Sequence, residues 1–333
     1  MERTFLVTGG AGYIGTNVIY YLLKHNYKIV VADNFSNAKC DGLNRLKKYF
    51  NYEFKIYDID LCNKSKLNQI FIENKISDVL HLAAKKYIPE SFIFKDEYLK
   101  NNCESTKNLL ECMSQNNVHN IYFASSITVY GEPKVLPLKE DSPICPLSPY
   151  AQSKVFCEEY VAGWQKENSK NNAIIFRFTN PVGARTHNVF LGDAPNGNYS
   201  TLLPYLVKCV NENIQIKING NDHNTPDGTT VRDYINITDL AWCVYKLITN
   251  GTKGLQYIIV GNGKITYSVL DMIKVLEKVY NKKIDFVVNP KRENDVPIIE
   301  VDNSYIVNNL HYAPKCNSFD MVKSQVEFAT KNF

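Results

Sequence analysis

Thr8-Gly9-Gly10-Ala11-Gly12-Tyr13-Ile14-Gly15 closes one apolar run, Thr4 to Thr8, and opens an amphipathic one, Tyr13 to Lys24. Glycines at 9, 12 and 15 give a G-x-x-G-x-x-G spacing, a variant of the dinucleotide fingerprint. Each glycine has a steric reason: one makes a tight turn, one lets backbone approach a pyrophosphate, and one lets the helix pack close on the strand. The N–H groups at the start of that helix then face the anion. A second run, Lys28 to Asp33, ends in a carboxylate about 20 residues further on, placed to accept hydrogen bonds from adenosine ribose hydroxyls. Asn34 follows Asp33 where an Arg or Lys would suit a 2′-phosphate, so NAD is favoured over NADP. Glycine-rich turns are common, and it is this context that favours a cofactor over a merely structural turn.

Outward from that motif the same rhythm continues. Glu53 to Tyr57, Asp78 to Ala83, Asn120 to Ser125 and Ala173 to Phe178 read as further strands. Between them lie helical patterns at Leu43 to Phe50, Lys64 to Asn74, Tyr98 to Asn116 and Pro149 to Lys166. Strand–helix alternation implies an α/β fold, a Rossmann-type doubly wound parallel sheet covered on both faces. From about Asn180 the loops lengthen and fill with Gly, Asn and Pro, with helices expected at Leu202 to Asn211, Asp239 to Thr249 and Ser268 to Tyr280. The expected division is therefore residues 1–180 for NAD and 181–333 for a smaller α/β substrate-binding lobe.

Composition agrees with an ordinary globular enzyme: 333 residues, 44% hydrophobic, 22% charged and a net charge of +4. No basic stripe argues for nucleic acid, and no apolar run is long enough to span a bilayer. Met1-Glu2-Arg3 leads straight into a strand pattern, so no secretion signal is expected. Nine cysteines are scattered singly, without metal-ligand or redox spacing, which suggests reduced packing residues in a cytoplasmic protein without a metal.

A second motif carries chemistry. Tyr150 and Lys154 lie four apart on a helix that Ser148 can cap and Pro149 can start. One helix face can thus present a phenol and an ammonium to one site. A free tyrosine ionises roughly three units above neutrality, a penalty of about 4 kcal/mol. A lysine cation and a positively charged nicotinamide can remove much of it and make Tyr150 a base. Upstream, Ala124-Ser125-Ser126-Ile127-Thr128-Val129-Tyr130-Gly131 places hydroxyls at a strand's carboxyl end, where such sheets bind ligands. A tyrosine–lysine pair alone is weak evidence among 22 tyrosines; glycines, hydroxyls and phenol together describe a hydride-transfer site.

This combination resembles the extended short-chain dehydrogenase/reductases and, within them, the UDP-glucose (UDP-galactose) 4-epimerase branch. The likeness runs nearly end to end, and Asn180-Pro181-Val182-Gly183-Ala184 and Asp227-Gly228-Thr229-Thr230-Val231-Arg232-Asp233-Tyr234 are specific to that branch. Sister dehydratases and decarboxylases carry an acid just after the serine, where this chain has Ile127 and Thr128. The resemblance implies that Tyr150 takes the proton of the sugar 4-hydroxyl while C4 gives its hydride to NAD. It implies that Ser126 hydrogen-bonds the same oxygen with Thr128 close by, and that Lys154 tunes Tyr150. The 4-keto sugar then turns over and is reduced on its other face, without net oxidation. Cofactor contacts implied, beyond Gly9, Gly12, Gly15, Asp33 and Asn34, are Tyr13, Ile14, Asn37, Asp60, Leu61, Leu82, Ala83, Lys86, Asn101 and Thr179, with Ser126, Tyr150 and Lys154. For the UDP-hexose they are Ser126, Tyr150, Asn180, Thr201, Leu202, Arg232, Arg292 and Asp295, with Ile299 either on the pocket wall facing C2 or simply an apolar core residue of a strand expected at Pro297 to Val301. Two arginines suit a diphosphate because each guanidinium can donate paired hydrogen bonds.

Three stretches depart from the branch's pattern: Ser200-Thr201-Leu202 where Asn-Asn-Leu is frequent, Asn219 in place of a Phe near uracil, and Phe178-Thr179 within Arg177 to Asn180. The family pairs subunits through helices, which makes a homodimer the expectation, with Tyr98 to Asn116 and Pro149 to Lys166 as candidate helices whose apolar faces could equally be ordinary core. Two further readings stand beside the leading one: an epimerase that also takes UDP-N-acetylhexosamines, and a non-catalytic NAD-binding regulator on the same fold.

Overall fold

The computed structural model describes residues 3–331 apart from 198, 200, 252 and 264, so Ser200 lies outside the described residues. In chain order the first half gives strands β1 (Thr4–Thr8), β2 (Lys28–Asp33), β3 (Lys55–Asp58), β4 (Asp78–His81), β5 (Asn120–Ser126) and β6 (Asn172–Phe178). Helices α1 (Tyr13–Lys24), α2 (Asp41–Phe50), α3 (Lys64–Glu73), α4 (Ile88–Ile93), α5 (Lys95–Gln115) and α6 (Pro149–Glu167) connect them, with a 3₁₀ turn at Ile127–Tyr130. The second half adds β7 (Asn180–Val182), α7 (Leu202–Asn211), β8 (Ile216–Asn219), β9 (Val231–Asn236), α8 (Ile237–Thr249) and β10 (Leu255–Val260). It ends with β11 (Thr266–Ser268), α9 (Val269–Tyr280), β12 (Phe286–Asn289), α10 (Ser304–Leu310) and α11 (Ser318–Lys331).

The large sheet runs β3-β2-β1-β4-β5-β6-β10 in space, every neighbouring pair parallel. Both faces are buried, as the continuous apolar strands require. Phe5 and Val7 of β1 face the side covered by α1 and α8, while Leu6 faces the side covered by α3, α5 and α6. Chain order reverses between β1 and β4, which opens a crevice at their carboxyl ends. A smaller body carries the sheet β11-β9-β7 and the pair β12-β8 around Leu203, Leu206, Met272, Leu276 and Met321. Residues after 181 serve both bodies: β10 pairs along the length of β6, and α8 packs on α1.

Several boundaries differ from the sequence reading. β4 stops at His81 rather than Ala83: Leu82 N donating to Thr8 O (3.1 Å) is its last rung beside β1, and Ala83 then lies against Gly9. The strand expected at Pro297 to Val301 is not continuous. Its backbone bonds first to Val231 (Val231 N to Pro297 O, 2.8 Å) and then to Leu138 (Leu138 N to Glu300 O, 2.8 Å), so only isolated bridges form. α6 begins as expected, Pro149 in its first turn and Ser148 Oγ accepting from Ala151 N (3.1 Å). Among the described residues no helix is long and apolar enough to cross a membrane, and all nine cysteines are free.

The turn after β1 depends on its glycines. Gly9 has φ +67°, and a Cβ there would stand 2.6 Å from Ala83 N, backbone that cannot step aside. Gly9→Ala is therefore expected to lower the unfolding free energy by about 1–3 kcal/mol, read from urea denaturation, because it adds left-handed strain to a backbone clash.

Candidate active site

At the carboxyl edge of the sheet the first strands build a cradle without side chains. A Cβ on Gly15 would stand 2.6 Å from Gly9 O, so α1 can approach this closely only with glycine there. Its first N–H groups open toward the crevice at the helix N-terminus. Asp33 ends β2 with Oδ2 accepting from Ala11 N (3.0 Å) and Oδ1 from Phe35 N (2.9 Å), which fixes both oxygens and leaves each with further lone pairs. Burial raises its pKa against those hydrogen bonds. Gly12, Tyr13, Asn37 and Lys86 line one cavity of about 470 Å³ that runs out between the two bodies past Asp193 and Tyr199. A backbone cradle, a helix N-terminus, an anchored carboxylate and a nearby lysine fit a dinucleotide.

The other expected cofactor residues are distributed around this edge. Ile14 is half-buried against the core of α1, and the Tyr13 hydroxyl donates to Gly183 O (2.5 Å), joining α1 to the smaller body. Asn34 Oδ1 accepts from Ser36 N (3.1 Å), and Asp60 Oδ1 from Cys62 N (2.9 Å). Leu61 is a core residue, while Leu82 and Ala83 form the wall opposite Gly9. Thr179 is buried with its hydroxyl toward Val260 O (3.4 Å). Asn101 is half-buried, whereas its neighbour Asn102 is the buried one: its side chain bonds both Lys85 N (2.9 Å) and Lys85 O (3.1 Å).

Ser126, Thr128, Tyr150 and Lys154 come together above β5. Thr128 Oγ1 donates to Ser126 Oγ (3.0 Å), and Ser126 also hydrogen-bonds the Tyr150 phenol. Lys154 Nζ donates to Ala124 O (2.7 Å) and lies 6.0 Å from the centre of the Tyr150 ring. Burial dominates both titrations. It pushes the Tyr150 phenol up to about 12, against the Ser126 hydrogen bond, and pulls Lys154 down to about 8, against the influence of neighbouring Cys157 and Glu158. Helical spacing placed the two groups on one face, but spacing carries no information about burial. In this structure the lysine sits under the ring and does not bond the phenol oxygen.

Across the crevice, Arg232 of β9 is held by Asp295 (Nη2 to Oδ1, 2.7 Å) and by the carbonyls of Val231 (2.8 Å) and Pro297 (3.3 Å). With its amide oxygen turned toward the guanidinium, Asn219 accepts from Arg292 Nη2 (2.9 Å) and Nε (3.2 Å). The departure at Asn219 thus orients one of the two arginines. Asn180 pairs with Tyr234 through the β7–β9 ladder, Thr201 Oγ1 donates to Asp193 Oδ2 (2.7 Å), and Leu202 packs into the smaller core. Ile299 is 5% exposed and packs with Ile127, Val129, Leu138 and Ile259, the cluster directly behind Ser126 and Thr128.

Buried polar residues that sequence reasoning missed lie behind the site. His81 sits between Thr8 Oγ1 (2.7 Å) and Thr106 Oγ1 (3.1 Å), and burial pulls it down to about 3, leaving a neutral ring at the end of β4. Asn102 Nδ2 also donates to Ser153 Oγ (2.9 Å), tying the Lys85–Lys86 loop to α6. Glu158 and Arg177 form a buried ion pair. Their one signal in the sequence is a polar residue on an otherwise apolar face.

The lysine gives a test with a definite sign. An unfolded chain holds the Lys154 proton up to about 10.5 and the folded one only to about 8. Between those values the unfolded state binds more protons, so stability rises with pH across the window. Lys154→Met without added NAD is expected to be more stable than the parent at neutral pH by about 2–3 kcal/mol, the desolvation cost less a hydrogen bond. It is also expected to lose that rise, both read from urea denaturation across pH.

Comparison with known proteins agrees with this geometry. Residues 5–261 match the model of the NAD dependent epimerase/dehydratase family. The chain is 38% identical over 303 residues to UDP-glucose 4-epimerase of Haemophilus influenzae, covering 90% of this chain and 89% of that one. It is 37% identical over 294 residues to the enzyme of that name from Bacillus subtilis, with 87% and 86% covered. The crystal structure of UDP-glucose 4-epimerase from Bifidobacterium longum in complex with NAD+ and UDP superposes with a TM-score of 0.95 at 35% identity over 99% of both chains. With the match covering its glycine cradle, its serine turn and its tyrosine helix, the chain belongs to the NAD dependent epimerase/dehydratase family.

Proposed function

We infer that the chain is an isomerase that uses NAD to interconvert UDP-glucose and UDP-galactose at C4. The observation that carries this reading is the Ser126–Tyr150–Lys154 cluster at the carboxyl edge of a sheet whose first turn is a glycine cradle, in a chain similar end to end to enzymes named for this reaction. A non-catalytic regulator would have no use for a phenol and a lysine buried together behind a serine.

NAD, when bound, supplies the acceptor that takes the hydrogen from C4 of the sugar and gives it back. Gly9, Gly12, Gly15, Asp33, Asn37 and Lys86 would hold it. The chain's own part is proton transfer and orientation. Tyr150, aligned by Ser126, is the group that takes and returns the proton of the 4-hydroxyl. In the protein alone its pKa stands far above neutral, so a positive charge must assemble around it before it can serve as a base. Lys154 is the chain's contribution to that charge. Ser126, whose hydroxyl oxygen accepts from Thr128, offers its own hydroxyl to the same oxygen. Arg232 and Arg292, preset by Asp295 and Asn219, would grip the diphosphate while the sugar turns. Two further points belong to the same reading: a cytoplasmic location, favoured by nine free cysteines, and a homodimer through α5 and α6, beside which Phe92, Ile93 and Phe94 stand exposed.

Tyr150→Phe keeps the ring and removes the ionisable oxygen. Epimerisation of UDP-galactose is expected to fall by about 10²–10⁴, while NAD remains bound in near stoichiometric amount on gel filtration. Near-normal turnover in that variant would remove Tyr150 from the reaction.

The packing of Ile299 bears on which sugars fit. It is branched at Cβ, stiff in χ1 and wedged behind the serine turn, so it cannot swing aside for a bulky group at C2. UDP-glucose and UDP-galactose are therefore the expected good substrates and UDP-N-acetylhexosamines poor ones. Ile299→Ala should raise turnover of the acetylated pair selectively, measured as the ratio of kcat/KM for the two pairs. An unchanged ratio would leave Ile299 as a core residue only.

A further inference from the structure

Directly behind the serine turn lies a buried charge pair that the reaction scheme leaves without a task. Ser125 and Arg177 are register partners on β5 and β6 and point to the same face of the sheet, toward α6. There Glu158, one turn beyond Lys154, receives three hydrogen bonds: from Ser125 Oγ (2.5 Å), Arg177 Nε (3.1 Å) and Arg177 Nη2 (2.7 Å). The side chains of Arg177 and Glu158 are 5% and 6% exposed. The remaining arm of Arg177 donates to the Tyr130 hydroxyl (2.6 Å) and to Glu140 O (2.8 Å), and its guanidinium lies over the rings of Tyr130 and Tyr257. One ion pair therefore touches β5 next to Ser126, the 3₁₀ turn that follows Ser126, helix α6 that carries Tyr150 and Lys154, and strand β10.

We propose that Glu158, locked by Arg177, is a positioning residue for the reaction: it fixes the strand end that presents Ser126 and holds the Lys154 ammonium from one helical turn away. The inference rests on the activity proposed above and assigns it a supporting carboxylate. Stability alone does not explain such a pair, because a buried ion pair often gives no net stabilisation over apolar residues of like volume. What it does supply is geometry, since a bidentate fork and a hydroxyl leave the carboxylate one orientation. Its charge also acts on Lys154. The groups around that ammonium are Tyr150, Cys157 and Glu158 on α6, Cys103 on α5 and His81 on β4; those around Glu158 are Arg177, Tyr130, Tyr257 and Lys154. Burial opposes the lysine charge and Glu158 supports it.

The experiment compares the full-length wild type with Glu158→Gln, Glu158→Asp and Ser125→Ala. Wild-type interconversion of UDP-glucose and UDP-galactose, measured first, tests the reaction itself. Ser125→Ala leaves the ion pair whole, and is expected to lower kcat about tenfold with KM nearly unchanged; Glu158→Gln is expected to lower kcat by up to about 100-fold, the scale of a small misplacement of catalytic groups. In Glu158→Gln the alkaline fall of kcat should move to lower pH, because Lys154 loses its proton sooner without the carboxylate, and Glu158→Asp should move it back. A second readout needs no turnover: the pH at which unfolding free energy begins to rise, taken as the difference between each protein and its Lys154→Met counterpart. It should begin lower in Glu158→Gln. Should the glutamine variant not fold, Ser125→Ala and Glu158→Asp decide, with kcat expected to fall in both. Wild-type kcat and pH limbs in every folded variant would overturn the proposal, as would a loss of thermal stability with both pH readouts unmoved. If the wild type shows no turnover, the fault lies with the reaction assigned, and the unfolding readout still judges Glu158.

Discussion

The contact of Gly9 with the backbone of Ala83 sets the distance between the two strand ends that flank the crevice, and most of the site is measured from it. With a Cβ 2.6 Å from Ala83 N excluded, two loops from β1 and β4 meet main chain to main chain. α1 can then start directly against the turn, Asp33 can reach Ala11 N, and Lys86 is carried to the same cavity. A parallel sheet adds the rest, because every strand delivers its carboxyl end to one edge. Ser126 at the end of β5 and Thr179 just after β6 arrive there without any local device of their own.

This is why so much of the fold could be read from residues alone. Six of the seven strands of the large sheet are short apolar runs beside clear turn signals, and α1, β1, β2 and α7 have the boundaries their patterns indicate. The seventh, β10, escaped because it follows a glycine-containing loop and finds its partner 82 residues earlier in the chain, at Leu255 against Ala173. The segment Pro297 to Val301 misled in the other direction: it has a strand's composition but divides its hydrogen bonds between two partners. Local pattern carries propensity, and partner choice is a tertiary matter.

For the site the limits are of another kind. Spacing put Tyr150 and Lys154 on one face, and the glycines announced the cradle. Burial, which pushes the Tyr150 phenol up and the Lys154 ammonium down, is a property of everything packed around them. The polar residues behind the site are illegible for a related reason. His81, Asn102 and Glu158 belong to no motif, and each gains its meaning from one or two partners on other elements. Holding such groups in a dry interior opposes folding unless every donor and acceptor is matched, and these networks match them.

The return of the chain to β6 has a consequence for how this protein could have been assembled or could be divided. A cut near residue 180 would strip β10 from the large sheet and α8 from α1, leaving β6 as a bare edge of seven apolar-rich residues and the packing face of α1 open to water. The dinucleotide half is therefore not a detachable cassette. Any exchange of the smaller body in this chain has to replace loops and short strands between β6 and β10, and between β10 and the end of α11, with the closing strand itself kept in place.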